Sequence, residues 1–184
     1  THVKGISSLA YGDTRRLLFT AQFDGFCKVY NAQASAFDRP RAVATLRGHQ
    51  RSLSSVAMLD GTDTLITADR SGVVKLWDTR MWTEYQTLNS RTVSNLKSLF
   101  PFGPNRLVLV SDKRMHFMSL TEDPSDPVTN EMMVTASCHS EPSHIVVAIA
   151  INYLDREVLI AHPHNVCIYS LYDGSLVEKI TFHH

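Results

Sequence analysis

HVKGISSLAYGDTRRLLFTAQFDGFCKVYN, residues 2–31, lies without a gap over HQRSLSSVAMLDGTDTLITADRSGVVKLWD, residues 49–78, at an offset of 49 − 2 = 47 residues. Identities fall at His2/His49, Ser7/Ser54, Ser8/Ser55, Ala10/Ala57, Leu18/Leu65, Thr20/Thr67, Ala21/Ala68, Gly25/Gly72 and Lys28/Lys75. Between them sit conservative pairs such as Lys4/Arg51, Ile6/Leu53, Leu9/Val56, Val29/Leu76 and Tyr30/Trp77. A repeat of about 45 residues is the mark of a protein assembled from one supersecondary unit stacked against copies of itself.

Within a unit the pattern is of short strands. Ile6–Tyr11, Arg16–Ala21, Phe26–Tyr30 and Ala42–Leu46 are separated by turns bearing Gly, Asp or Pro, and Leu53–Met58, Thr64–Ala68, Val73–Trp77 and Glu84–Leu88 repeat the scheme. No stretch shows the i, i+3, i+4, i+7 spacing of a helical solenoid. Four strands per unit predict radially repeated sheets. A β-sandwich would not account for thirty residues that repeat without a gap.

Gly48-His49 opening a unit and Trp77-Asp78 closing its third strand resemble the WD-repeat signature. That resemblance implies an all-β propeller whose four-stranded antiparallel blades are named a to d from the axis outward. It also implies a hydrogen-bonded tetrad in each blade: a His before strand a, a Ser or Thr in strand b, an Asp in the b–c turn and a Trp in strand c. Carried over by position, the first unit offers His2, Thr20, Asp24 and Tyr30, and the second His49, Thr67, Ser71 and Trp77. The logic is that a buried indole N–H, hydroxyl and imidazole each require a partner. Tyr30 for Trp and Ser71 for Asp are departures that predict weaker tetrads.

Further along, Val93–Leu99, Arg106–Ser111 and Met115–Ser119 read as a third unit, with Asp112 at the tetrad Asp, Asn89 at the His and Met118 at the Trp. A fourth runs through Ile145–Ile151, Glu157–Ala161, Val166–Ser170 and Leu176–Ile180. Blades are thus expected at approximately 2–48, 49–88, 89–138 and 139–182. Phe182-His183 resembles the opening of a fifth. Four blades of this type imply part of a larger, seven-bladed ring, with the remaining blades of the parent protein as neighbours; an open arc would leave apolar faces exposed.

Composition excludes several classes. Lys+Arg and Asp+Glu both number 18, so the formal charge is zero and no electrostatic footprint for nucleic acid is present. The longest apolar run, Ile145 to Ile151, is too short to insert in a bilayer. Three cysteines without a C-x-x-C pair (Cys27, Cys138 and Cys167) fit reduced thiols in a cytoplasmic protein. No phosphate loop, nucleophile elbow, zinc-protease or dinucleotide motif occurs. Glu122-Asp123-Pro124-Ser125-Asp126 lacks the alternation of a calcium loop, and His162 with His164 lacks further ligands. The expectation is a non-enzyme with no cofactor and no metal. The Thr, His and Asp of a tetrad lie inside a blade, so they are structural rather than a catalytic triad.

In the family, b–c turns and d–a loops share one face of the disk and often meet partner proteins there. Lys4, Arg51 and Arg91 hold one repeat position on the d–a loops, while Phe23 and Arg70 are equivalent in the b–c turns, with Lys113 and Arg114 in the third. The cationic rim predicts acidic or phosphorylated protein segments as partners. Asp60, Asp63, Glu122, Asp123, Asp126, Asp155 and Glu157 collect on the opposite face, interrupted by Arg15 and Arg16. The leading function is a protein–protein interaction scaffold. Trp77-Asp78-Thr79-Arg80 is similar to the W-D-x-R element of substrate receptors of cullin–RING ubiquitin ligases, which would make Arg80 an adaptor contact. A peptide or lipid-headgroup reader is the third reading. The wording of the first unit is also similar to large WD-repeat proteins of ciliated and flagellated organisms, which implies a cytoskeletal or axonemal scaffold.

Overall fold

Strand alternation in the repeat produces sheets with apolar side chains on both faces. The computed structural model describes residues 5–13, 15–33, 41–59, 61–89, 93–103, 105–111, 114–120, 135–137 and 146–182. β1 (Ile6–Gly12), β2 (Leu17–Gln22), β3 (Cys27–Asn31) and β4 (Ala42–Leu46) form one antiparallel sheet in sequence order. β5 (Leu53–Met58), β6 (Thr64–Asp69), β7 (Val73–Asp78) and β8 (Thr83–Asn89) form the second. The third contains β9 (Leu96–Pro101), β10 (Arg106–Ser111), β11 (Arg114–Ser119) and β12 (Thr135–Ser137). β13 (Ala148–Asn152), β14 (Glu157–Ala161), β15 (Asn165–Ser170) and β16 (Leu176–Thr181) complete the fourth. No helix occurs among the described residues.

These are four blades stacked face to face. Where the first two meet, Phe19, Ala21 and Val29 bury against Val56, Leu65 and Trp77. Ile66, Ala68 and Leu76 on the other side of the second blade bury against Leu96, Leu107 and Met118 of the third. Val108, Val110 and Met115 then meet Val158, Ile160 and Tyr169 of the fourth. Neighbours along β6 therefore point into different joints, Leu65 backward and Ile66 forward, as the two-residue period of a strand requires. Each such side chain contributes about 1.5–3 kcal/mol by leaving water, and Phe19→Ala would cost about 3–5 kcal/mol. Outer strands are wetter, and every residue of β16 is exposed.

The blades also interlock at their loops. Gly25 and Gly72 share one repeat position in the b–c turns, with φ of 87° and 89°. A Cβ on Gly25 would stand 2.9 Å from the Arg51 carbonyl oxygen, and one on Gly72 2.8 Å from that of Val93. Both the left-handed backbone and the close approach of the next loop demand glycine here. One strand start differs from expectation for this reason. Residues 93–95 form the loop laid against Gly72, the Leu96 amide donates to the Arg70 carbonyl at 3.1 Å, and β9 begins only at Leu96.

Candidate functional site

The second blade holds a continuous hydrogen-bond chain. The Trp77 indole N–H donates to Thr67 Oγ1 at 2.8 Å, Thr67 Oγ1 lies 2.8 Å from His49 Nε2, and His49 Nδ1 lies 3.0 Å from Asp69 Oδ2. An ionised carboxylate only accepts, so Nδ1 carries a hydrogen and donates it to Asp69. Every polar atom of the chain is thereby paired, although Thr67 and Asp69 are buried and the His49 side chain is only 2% exposed.

The carboxylate is not where the repeat alignment placed it. Ser71 makes no hydrogen bond to His49 among the described residues. Instead its amide and hydroxyl donate to Asp69 Oδ1, at 2.9 and 2.5 Å, and the Val73 amide adds a third bond at 3.3 Å. Asp69 thus ties the turn to the imidazole. Burial alone would raise its carboxyl, but the hydrogen bonds from His49 and Ser71 and the nearness of His49 bring it below the ordinary value. The signal was available: Thr67 and Asp69 are two apart in one strand and share a face. In the first blade the same position is Gln22, also buried.

In the first and third blades only part of the expected tetrad lies among the described residues. Thr20 Oγ1 donates to the Lys28 carbonyl at 3.3 Å, Asp24 Oδ1 accepts from the Phe26 amide at 3.1 Å, and Tyr30 is half-buried in β3. Asp24 is therefore a turn-forming residue in the described contacts, and His2 lies outside the described residues. Register places Leu109 and Met118 of the third blade where the second has Thr67 and Trp77, so apolar packing replaces the polar chain. Asp112 lies outside the described residues, and Asn89 closes β8 opposite Val73 rather than preceding strand a.

On the loop face, four groups converge at the first joint. The Arg70 guanidinium stands over the Phe23 ring at 5.4 Å, and Phe23 is 36% exposed. Ser52 Oγ donates to the Phe23 carbonyl at 2.7 Å and the Ser52 carbonyl accepts from the Arg70 amide at 3.0 Å. Arg51, next to Ser52, is exposed. Ser52 thus stitches two consecutive b–c turns to the loop that carries Arg51. A second stack, which the repeat pairing did not reveal because it joins different positions, sets Arg47 over Phe26 at 4.5 Å. Lys4, Arg91 and Lys113 lie outside the described residues, as does the side chain of Arg114 at the start of β11.

At the opposite end, Arg80 is exposed, and its Nε pairs with Asp63 Oδ2 at 3.1 Å. Arg15 reaches the same carboxylate at 3.7 Å and donates to the Thr79 carbonyl at 3.0 Å.

Comparison with known proteins agrees with this architecture. The family model for the WD domain, G-beta repeat, matches residues 1–31 and 40–78. A cilia- and flagella-associated protein, 337 B of Tetrahymena thermophila, is 30% identical over 91 residues, which is 50% of this chain and 7% of that protein. A chain in the crystal structure of a mitotic checkpoint complex superposes with a TM-score of 0.69 at 20% identity, over 97% of this chain and 52% of its own length. At that identity the likeness is one of fold, a β-propeller fold built of four-stranded antiparallel blades. No helix among the described residues is long and apolar enough to cross a membrane.

Proposed function

We propose that this chain is a non-catalytic scaffold that holds acidic or phosphorylated segments of partner proteins on its loop face, at the joint of the first two blades. The observation that carries the reading is the Arg70–Phe23 stack, braced by Ser52 and bordered by exposed Arg51. Its arginine and aromatic are anchored through backbone hydrogen bonds, so little ordering entropy is lost when a partner docks. Arg and Phe are also enriched at interface centres. Lys4 and Arg91 share the repeat position of Arg51 in the sequence, and Lys113 and Arg114 follow the third unit's second strand, so all four belong to the same reading. The remaining blades of the ring come from the parent protein.

The likeness to a cilia- and flagella-associated protein supports an axonemal, cytoplasmic-side scaffold as the setting. The ligase-receptor reading gains nothing from Arg80, whose Nε is held by Asp63. The test is to replace Arg51 and Arg70 together by Glu and compare proteins recovered from a ciliated-cell extract at low and high salt. Partners of this face should be lost from the variant and weakened by salt, because exposed charge pairs are screened. An unchanged partner set would reject the reading.

A further inference from the structure

The joint between the first two blades also has an opening at the end away from the loops. It is a pocket of about 160 Å³, with Leu17, Phe19, Met58 and Leu59 among its walls and Asp13 and Thr79 on its lining. Its origin is visible in the repeat. Leu59 and Leu120 are buried together in the joint of the second and third blades. One repeat earlier, the position of Leu59 is Gly12. The position of Leu120 corresponds to Thr79, since the Leu120 amide donates to the Asn105 carbonyl as that of Thr79 does to Asp63. Gly12 has no left-handed φ to justify it, because it is absent from the positive-φ glycines. Gly12 and Thr79 thus stand in this joint where the next joint has two leucines; Phe19 takes part of the room beside Gly12, and the pocket is what is left open along the blade interface.

We propose that this pocket is a docking site for a partner-protein segment that inserts one phenylalanine side chain and sets a neighbouring basic residue against Asp13. An engineered apolar cavity of about 150 Å³ accepts a benzene ring; here about 160 Å³ is walled on its apolar side by Leu17, Phe19, Met58 and Leu59, while Asp13, Arg15 and Asp63 make the rest of the lining polar. Charge on the rim selects the flanking residue. Arg15 and Arg80 both converge on Asp63, and Asp78 Oδ1 accepts from the Arg80 and Met81 amides at 2.6 and 3.3 Å. Asp13 is exposed and has no side-chain partner among the described residues; Arg15, which also lines the pocket, is engaged by Asp63 and the Thr79 carbonyl instead. A wider hollow of about 580 Å³ shares Thr62 and Asp63 with the pocket and runs past Thr64 and Tyr85. It provides a path for the chain beside the anchor. This site is separate from the loop face.

The experiment uses fluorescein-labelled Gly/Ser peptides with a central Phe flanked by Lys, with Phe→Ala and Lys→Glu versions as controls. Fluorescence anisotropy should give the Phe/Lys peptide an affinity about tenfold or more above that of the Ala peptide, the increment expected for burying one such side chain. The Glu peptide should bind more weakly than the Lys peptide, and Asp13→Lys should abolish that preference. Gly12→Leu and Thr79→Leu each restore a leucine of the neighbouring joint and should each abolish Phe-dependent binding. Arg70→Glu should leave it intact. Two fills are used because a Cβ on Gly12 would meet the Phe19 ring at 3.1 Å. Equal binding of the Phe and Ala peptides, or Phe-dependent binding that survives either fill in a folded variant, would overturn the proposal.

Discussion

Ser55 and Leu99 make a reciprocal pair across two blades: the Ser55 hydroxyl donates to the Leu99 carbonyl at 3.2 Å and accepts from the Leu99 amide at 3.1 Å. One repeat earlier, Ser8 Oγ accepts from the Val56 amide at 3.3 Å. The serine shared by both units is thus a clip between the innermost strands of successive blades. It satisfies backbone groups that no strand pairing reaches at a joint otherwise closed by apolar side chains.

Removing that clip should be expensive. Ser55→Ala leaves a buried amide and carbonyl of Leu99 without this partner and should lower stability by about 1–3 kcal/mol. Ser54→Ala loses only a bond to the Ala68 carbonyl of its own sheet and should cost about 0.5–1.5 kcal/mol. Urea denaturation midpoints of the two variants check the order; equal losses would deny Ser55 its joining role.

Asp69 and Asp24 should differ in the same measurement. Asp69→Ala strands the buried His49 Nδ1–H and three turn donors, with an expected loss of at least about 1–3 kcal/mol. Asp24→Ala removes one bond to the Phe26 amide and should cost about 0.5–1.5 kcal/mol. Ser71→Ala should resemble Asp24→Ala, because its hydroxyl serves Asp69 and not the imidazole.

The lowered carboxyl of Asp69 gives a pH signature. Its stabilisation is complete above the unfolded-chain value of about 3.9 and disappears as pH falls through the lower folded value. Below about pH 4 the urea midpoint of the wild-type protein should therefore fall more steeply than that of Asp69→Asn. Parallel curves would mean that the carboxylate carries no proton linkage to folding.

Cys27 should be inert in the native state. It is buried, and burial pushes its thiol up to about 12 against a smaller lowering by a backbone hydrogen bond from Thr20. At pH 8 an alkylating reagent should modify Cys27 only after denaturant unfolds the blade. Peptide mapping by mass spectrometry would detect rapid native-state labelling, which would contradict that burial.

The repeat, its period and the strands of the first two blades are legible in the amino-acid order, because strand alternation and turn glycines are local rules written in neighbouring residues. Eight strand segments read from those two units correspond to β1–β8, with ends moved by a residue at most. His49, Thr67 and Trp77 were legible through the same repeat. Other features depend on contacts between segments far apart in the chain. Asp69 rather than Ser71 meets His49 because strand geometry puts Thr67 and Asp69 on one face of β6, toward an imidazole arriving from the preceding loop. Ser52 draws Phe23, Arg51 and Arg70 together, and Arg47 stacks on Phe26, only once two blades are in place. The start of β9 differs from the sequence reading for the same reason: Val93 is apolar and strand-like in sequence, but it packs against Gly72 and the Leu96 amide donates to the Arg70 carbonyl of the preceding blade. The pocket at Gly12 is likewise invisible in a single repeat, since it is the difference between two joints.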